Sequence, residues 1–144
     1  MTLTMKRATK NKCAMLIILC MAICGILSCQ TQNRSNDEGF KSLSVQEYEK
    51  AIEKKNVVRL DVRTAKEFAE GHIEGAVNID VLKSDFEKRA TATLPKKKTI
   101  AVNCRSGKRS KTAAAILVKN GYKVIELDSG YNGWTNAGKR VVKE

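Results

Sequence analysis

Cys104 stands where an apolar run, Thr99-Ile100-Ala101-Val102-Asn103, meets a short loop of glycine and cations, Arg105-Ser106-Gly107-Lys108-Arg109. The residues that follow, Ser110-Lys111-Thr112-Ala113-Ala114-Ala115, read as a helix. A sulfur at such a strand-to-helix junction meets backbone amides and a helix N-terminus, with Arg105, Lys108 and Arg109 beside it. Each of these favours thiolate over thiol. The chemistry this predicts is a nucleophilic thiolate in an anion-binding cradle. Arg105 and Arg109 would stabilise the thiolate and bind an anionic reactant, and Lys108 would attract it. Ser106 and Gly107 would act through their backbone, glycine permitting the tight turn that aims amides inward. A lone cysteine can equally be an inert core residue; the basic loop argues against that here.

The other cysteines lie elsewhere. Cys13, Cys20, Cys24 and Cys29 precede a polar stretch, 30–39, that holds no apolar residue beyond its glycine. No disulfide framework can therefore span the folded part, and with no histidine near them a metal site is not expected. Residues 1–12 are basic and 13–27 apolar, a run short for a membrane span and suited to the core of a signal peptide. Ile26-Leu27-Ser28-Cys29 resembles the lipobox of bacterial lipoproteins, whose cysteine is acylated and becomes the first residue. The expectation is a signal peptide over 1–28, a lipidated Cys29 with a flexible tether over 29–39, and a folded domain over 40–144. An uncleaved signal anchor is the alternative. Either places the domain outside the cytoplasm, membrane-anchored, on the periplasmic or cell-surface side.

At 144 residues, 42% hydrophobic and 29% charged, the chain suffices for one domain with a real core. The net charge is +12, of which Lys6, Arg7, Lys10 and Lys12 would leave with the first 28 residues, giving +8. Nucleic acid is not the expected partner, because aromatics are only 5% and no basic stripe interleaves with stacking residues. A small anion or an anionic membrane surface fits the charge better.

Elements of alternating type must position the cysteine. Ser44-Val45-Gln46-Glu47 is a capping box, flanked by a Leu43–Tyr48 staple, and predicts a helix over about 45–55. A buried strand follows over 56–62. Thr64-Ala65-Lys66-Glu67 is a second capping box for a short helix stopping at Gly71. A short strand over 76–79 and a helix from about Ser84 to before Pro95 come next. After the strand Thr99–Asn103 and the cysteine loop, an apolar helix around Ala113 closes at Asn120-Gly121. Lys123–Leu127 is the last strand, and Gly130-Tyr131-Asn132-Gly133-Trp134 opens a terminal helix. The alternation predicts an α/β fold, a mainly parallel central sheet with helices on both faces. Sites in such sheets lie beyond the C-terminal strand ends, where Cys104 falls.

Over about 43–140 the chain resembles a single rhodanese domain, of the sulfurtransferase family. Leu60-Asp61-Val62-Arg63, Glu67-Phe68 and Gly71-His72-Ile73-Glu74-Gly75-Ala76-Val77-Asn78-Ile79 match the family's N-terminal signature. Cys104-Arg105-Ser106-Gly107-Lys108-Arg109-Ser110 matches its active-site loop, and Gly121-Tyr122, Leu127, Gly130, Gly133 and Trp134 match its C-terminal pattern. The tail 139–144 lacks the family's frequent glycine-aromatic-proline ending.

The resemblance implies a rhodanese-like fold and a thiosulfate sulfurtransferase. Cys104 would take sulfane sulfur from thiosulfate or a related anion as a persulfide, then pass it to a thiol or dithiol acceptor. No cofactor is implied, and a monomer is expected. His72 would be structural, Asp61 and Arg63 would form a supporting pair at the site edge, and Tyr131 and Trp134 would pack. Cysteine-dependent phosphatases resemble this loop but place five residues between cysteine and arginine; here four intervene before Arg109. The alternatives are a persulfide carrier or docking module without turnover, and an oxyanion enzyme such as a phosphatase or arsenate reductase.

Overall fold

A computed structural model describes residues 39–143. The expected signal segment, Cys29 and most of the expected tether lie outside the described residues. Five strands, β1 (Lys41–Leu43), β2 (Val57–Asp61), β3 (Val77–Asn78), β4 (Thr99–Asn103) and β5 (Lys123–Leu127), alternate with five helices. These are α1 (Val45–Ile52), α2 (Ala65–Glu70), α3 (Phe86–Thr93), α4 (Lys108–Lys119) and α5 (Gly130–Asn136). The strands form one sheet in the order β1-β5-β4-β2-β3, with every pair parallel.

β4 is central and buried on both faces, and its alternation divides the core. Ile100 and Val102 face α3 and α4, packing with Phe86, Ala90, Ala113, Ala114 and Leu117. Ala101 faces α1 and α5, among Val45, Tyr48, Ile52 and Trp134. Alanines at 113 and 114 let α4 lie close on the sheet, and this holds the start of α4 against the end of β4. Both faces are thus covered by helices within the described span, as the alternation of elements predicts.

Both expected capping boxes form. Ser44 Oγ accepts from the Glu47 amide and Thr64 Oγ1 from the Glu67 amide, while each glutamate reaches back to its cap residue. The first helix is shorter than expected, ending at Ile52 because the chain turns through 53–56 to enter β2. α3 starts after Asp85 with no side-chain cap bond, and α4 begins already at Lys108. β1 is absent from the sequence-based expectation. It is a three-residue edge strand held in register by Lys41↔Ile125, Ser42↔Glu126 and Leu43↔Leu127. After α5 the tail returns to pair Val142 with His72. Among the described residues no helix is long and apolar enough to cross a membrane.

Ile100 is fully buried between the sheet and the α3–α4 layer. Ile100→Ala is expected to lower unfolding free energy by roughly 2–5 kcal/mol, measured by urea titration with circular dichroism.

Candidate active site

The first residue beyond β4 is Cys104, and it is 1% exposed. Its sulfur sits at the start of α4, where helix amides have no intrahelical acceptor. The Gly107 N–H donates to Sγ over 3.2 Å, and Ser110 Oγ lies 3.5 Å from Sγ. Gly107 caps α4 with φ 91°, a left-handed conformation that disfavours side chains. Space forbids them too: a Cβ there would stand 1.9 Å from the Asp128 carbonyl oxygen.

The loop is gripped from behind by the end of β5 and the start of α5. The Tyr131 amide donates to the Cys104 carbonyl over 2.7 Å, and the Asn132 amide to the Arg105 carbonyl over 3.0 Å. Gly130, at φ 61°, lets this segment approach; a Cβ would meet the Arg105–Ser106 peptide at 2.6 Å. Ser110 Oγ is 2.9 Å from the Gly107 carbonyl and 3.0 Å from Glu126 Oε2. Glu126 is fully buried, and Lys111 Nζ stands 3.3 Å from its Oε1 and 2.6 Å from Asp128 Oδ1. Glu126, Asp128 and Gly130 therefore shape the loop from outside it, a role their sequence context did not signal.

The loop cations differ in how they are placed. Arg109 forms a fork-to-fork pair with Glu67, at 2.9 and 2.8 Å. Glu67 is a partner that the sequence did not signal for it. Its hydrogen bonds to Glu67, ahead of the field of Cys104, hold its pKa above the ordinary value. Those same Arg109 bonds, helped by the Thr64 cap, bring the Glu67 carboxyl down from 4.5 to about 2. Arg105 is open to solvent, its Nε 4.0 Å from Glu67 Oε1 and its side chain 68% exposed. Lys108 is also exposed and, among the described residues, has no ion-pair partner.

Asp61 and Arg63 form the expected pair. Both are buried, joined at 2.7 Å, with the Asp61 carboxylate also taking the Arg63 amide. Arg63 goes on to the Gly71 carbonyl and lies 3.9 Å over the Tyr131 ring. Tyr131 therefore does more than pack, since it joins this pair to the α5 segment that grips the loop. His72 stacks on Phe68, and its Nδ1 is 3.0 Å from the Phe68 carbonyl, contacts that place it in the framework. A polar cleft of about 150 Å³ opens beside the loop, lined by Arg63, Glu67, Arg105 and Tyr131 among others, and not by Cys104. Among the described residues no group of side chains could hold a metal ion.

A family model for the rhodanese-like domain matches residues 44–137. The chain belongs to the rhodanese-like family. Among its relatives is a thiosulfate sulfurtransferase, GlpE, of Pseudomonas fluorescens, 34% identical over 90 residues, spanning 61% of this chain and 79% of that protein. A putative sulfur carrier protein, YrkF, of Bacillus subtilis is 32% identical over 102 residues, spanning 69% of this chain but only 54% of the relative. The crystal structure of a rhodanese-related protein from Thermoplasma volcanium superposes with a TM-score of 0.64 at 29% identity. The match covers 72% of this chain and 98% of that one. The cysteine loop, residues 104–110, lies within the matched span.

The depressed Glu67 carboxyl stabilises the fold above its unfolded value of 4.5, and that contribution is lost as pH falls toward about 2. With solvent screening of this surface pair the difference is worth about 1 kcal/mol. Across this window the wild type should lose about that much more stability in urea unfolding than Glu67→Gln does.

Proposed function

We propose that the protein is a sulfurtransferase that carries sulfane sulfur on Cys104. The observation that carries the reading is a buried thiol at a helix start, 3.2 Å from the Gly107 N–H, within a loop whose carbonyls are bonded from behind. Such a cradle favours a single anionic sulfur atom. The Cys104 thiolate attacks the outer sulfur of thiosulfate, forming an S–S bond while the sulfur–sulfur bond of the donor breaks and sulfite leaves with its electron pair. A thiophilic acceptor, cyanide in an assay or a thiol in the cell, then takes the outer sulfur and returns the thiolate. Arg105 and Lys108, the exposed loop cations, draw in the anionic donor, while Arg109 with Glu67 and Asp61 with Arg63 hold the walls. The thiosulfate sulfurtransferase name of the Pseudomonas relative and the four-residue spacing to Arg109 support this over oxyanion chemistry.

A second reading has one observation in its favour, the carrier name of the Bacillus relative: Cys104 loads once and hands its sulfur to a dedicated partner without turnover. We further propose that the domain works outside the cytoplasm as a monomer, anchored by lipid on Cys29.

Intact mass of the domain after thiosulfate is expected to rise by one sulfur atom, and cyanide is expected to remove it. Cys104→Ser should show no gain. Absence of loading by thiosulfate and other sulfane donors would overturn the persulfide reading. Multiple turnovers with excess donor and acceptor separate enzyme from carrier. For the anchor, radiolabelled palmitate fed to expressing bacteria should appear in the full chain and not in Cys29→Ser; an unlabelled wild type would refute lipidation.

A further inference from the structure

Because every strand is parallel, the strand starts share one end of the sheet and Cys104 lies at the other. The segments that enter β1, β2, β4 and β5 (39–41, 53–57, 95–99 and 119–123) carry eight lysines, among them Lys54, Lys55, Lys97 and Lys98, and one acid, Glu53. All eight lysines are exposed. At the Cys104 end the buried or half-buried cations have acids beside them: Arg63 has Asp61, Arg109 has Glu67, and Lys111 has Glu126 and Asp128. Arg105 and Lys108 are the exposed cations of the Cys104 loop, against eight exposed lysines at the strand starts, so the larger share of the positive charge lies on the pole opposite the thiol.

The chain enters at that pole. Gly39 lies against Val118 near the end of α4, and Lys41 opens β1. A groove of about 530 Å³ opens there, lined by Lys41, Lys50, Lys54 and Lys123 with one acid, Glu47, and by Leu43 and Val57.

We infer that this basic pole docks on an anionic lipid surface, seating headgroup phosphates among its lysines and turning the Cys104 loop away from the membrane. The inference rests on the proposed Cys29 anchor for its physiological setting. Residues 30–39 span at most about 35 Å when extended, so an anchored domain stays within reach of the headgroups at high effective concentration. One lysine near such a surface strengthens binding about fivefold, and the short tether selects the pole that carries them. A site facing outward then meets soluble donors and acceptors without competition from the surface.

The test uses the domain over residues 30–144, which contains both helix layers, without its anchor. Co-sedimentation is measured with vesicles of phosphatidylcholine alone and of phosphatidylcholine mixed with phosphatidylglycerol. Binding is expected only to the mixed vesicles and should weaken with added salt. Substituting Lys54, Lys55, Lys97 and Lys98 by Gln should cut it roughly six-hundredfold and leave sulfur transfer to cyanide unchanged. Substituting Lys66, Lys83, Lys88 and Lys143, which lie away from the pole, should cut it far less. Bound vesicles should shield Lys54 and Lys97 from acetic anhydride while Cys104 alkylates at its free rate. Equal losses in the two quadruple variants, shielding of Cys104, or retention on single-stranded DNA but not on anionic vesicles would each overturn the proposal. Failure of the Cys29 anchor would appear only in palmitate labelling of the full chain, so the two failures are distinguishable.

Discussion

A peptide's N–H and C=O point in opposite directions, so fixing one aims the other. The amides of Tyr131 and Asn132 donate to the carbonyls of Cys104 and Arg105, which fixes the two peptides after the cysteine, and the N–H of the next peptide, that of Gly107, reaches the sulfur. The shape of the loop is thus imposed by a segment outside it. Two glycines make the grip possible. Gly130 brings α5 close enough to donate, and Gly107 lets α4 start in contact with the Asp128 carbonyl. Everything else at the site, the buried sulfur, the Ser110 hydroxyl beside it and the helix end behind it, follows from that closure.

Charge around the closed loop is arranged in matched pairs rather than left as a free basic patch. Arg109 is locked to Glu67, a residue that also caps α2, so one carboxylate ties the helix after β2 to the helix after β4. Lys111 bridges Glu126 and Asp128 on the far side. The polar groups in direct reach of the sulfur are accordingly neutral, the Gly107 N–H and the Ser110 hydroxyl. The exposed Arg105 and Lys108 remain as the long-range attraction, screened within about 10 Å at ordinary salt.

Much of this was legible in the residues. Local signals carried the elements: the Ser44 and Thr64 capping boxes, the apolar runs Thr99–Asn103 and Lys123–Leu127, and the Asn120-Gly121 stop all act within a few positions of the backbone they shape. The placement of Cys104 and the pairing of Asp61 with Arg63 were likewise readable from near neighbours. β1 escaped because a three-residue edge strand has no room to show alternation and owes its existence to β5. The binding of Arg109 by Glu67 escaped for a related reason: the two are 42 positions apart, and only the packed sheet brings them together. Glu126 and Asp128 look like ordinary strand-end acids until α4 is laid across them.

The grip on the loop also sets when the thiol becomes special. Cys104 is synthesised before β5 and α5, and until those elements dock, nothing turns its loop carbonyls outward. A nascent or unfolded chain therefore carries Cys104 without the close approach of Gly130 or the Tyr131 and Asn132 donors behind its loop. Cys104 is 1% exposed once the last strand and helix have closed on its loop, so its protection from a thiol reagent reports completion of the C-terminal third of the domain. The site is thereby the last part of the fold to be finished: a half-made chain has the cysteine and its sequence neighbours, but not the backbone that encloses them.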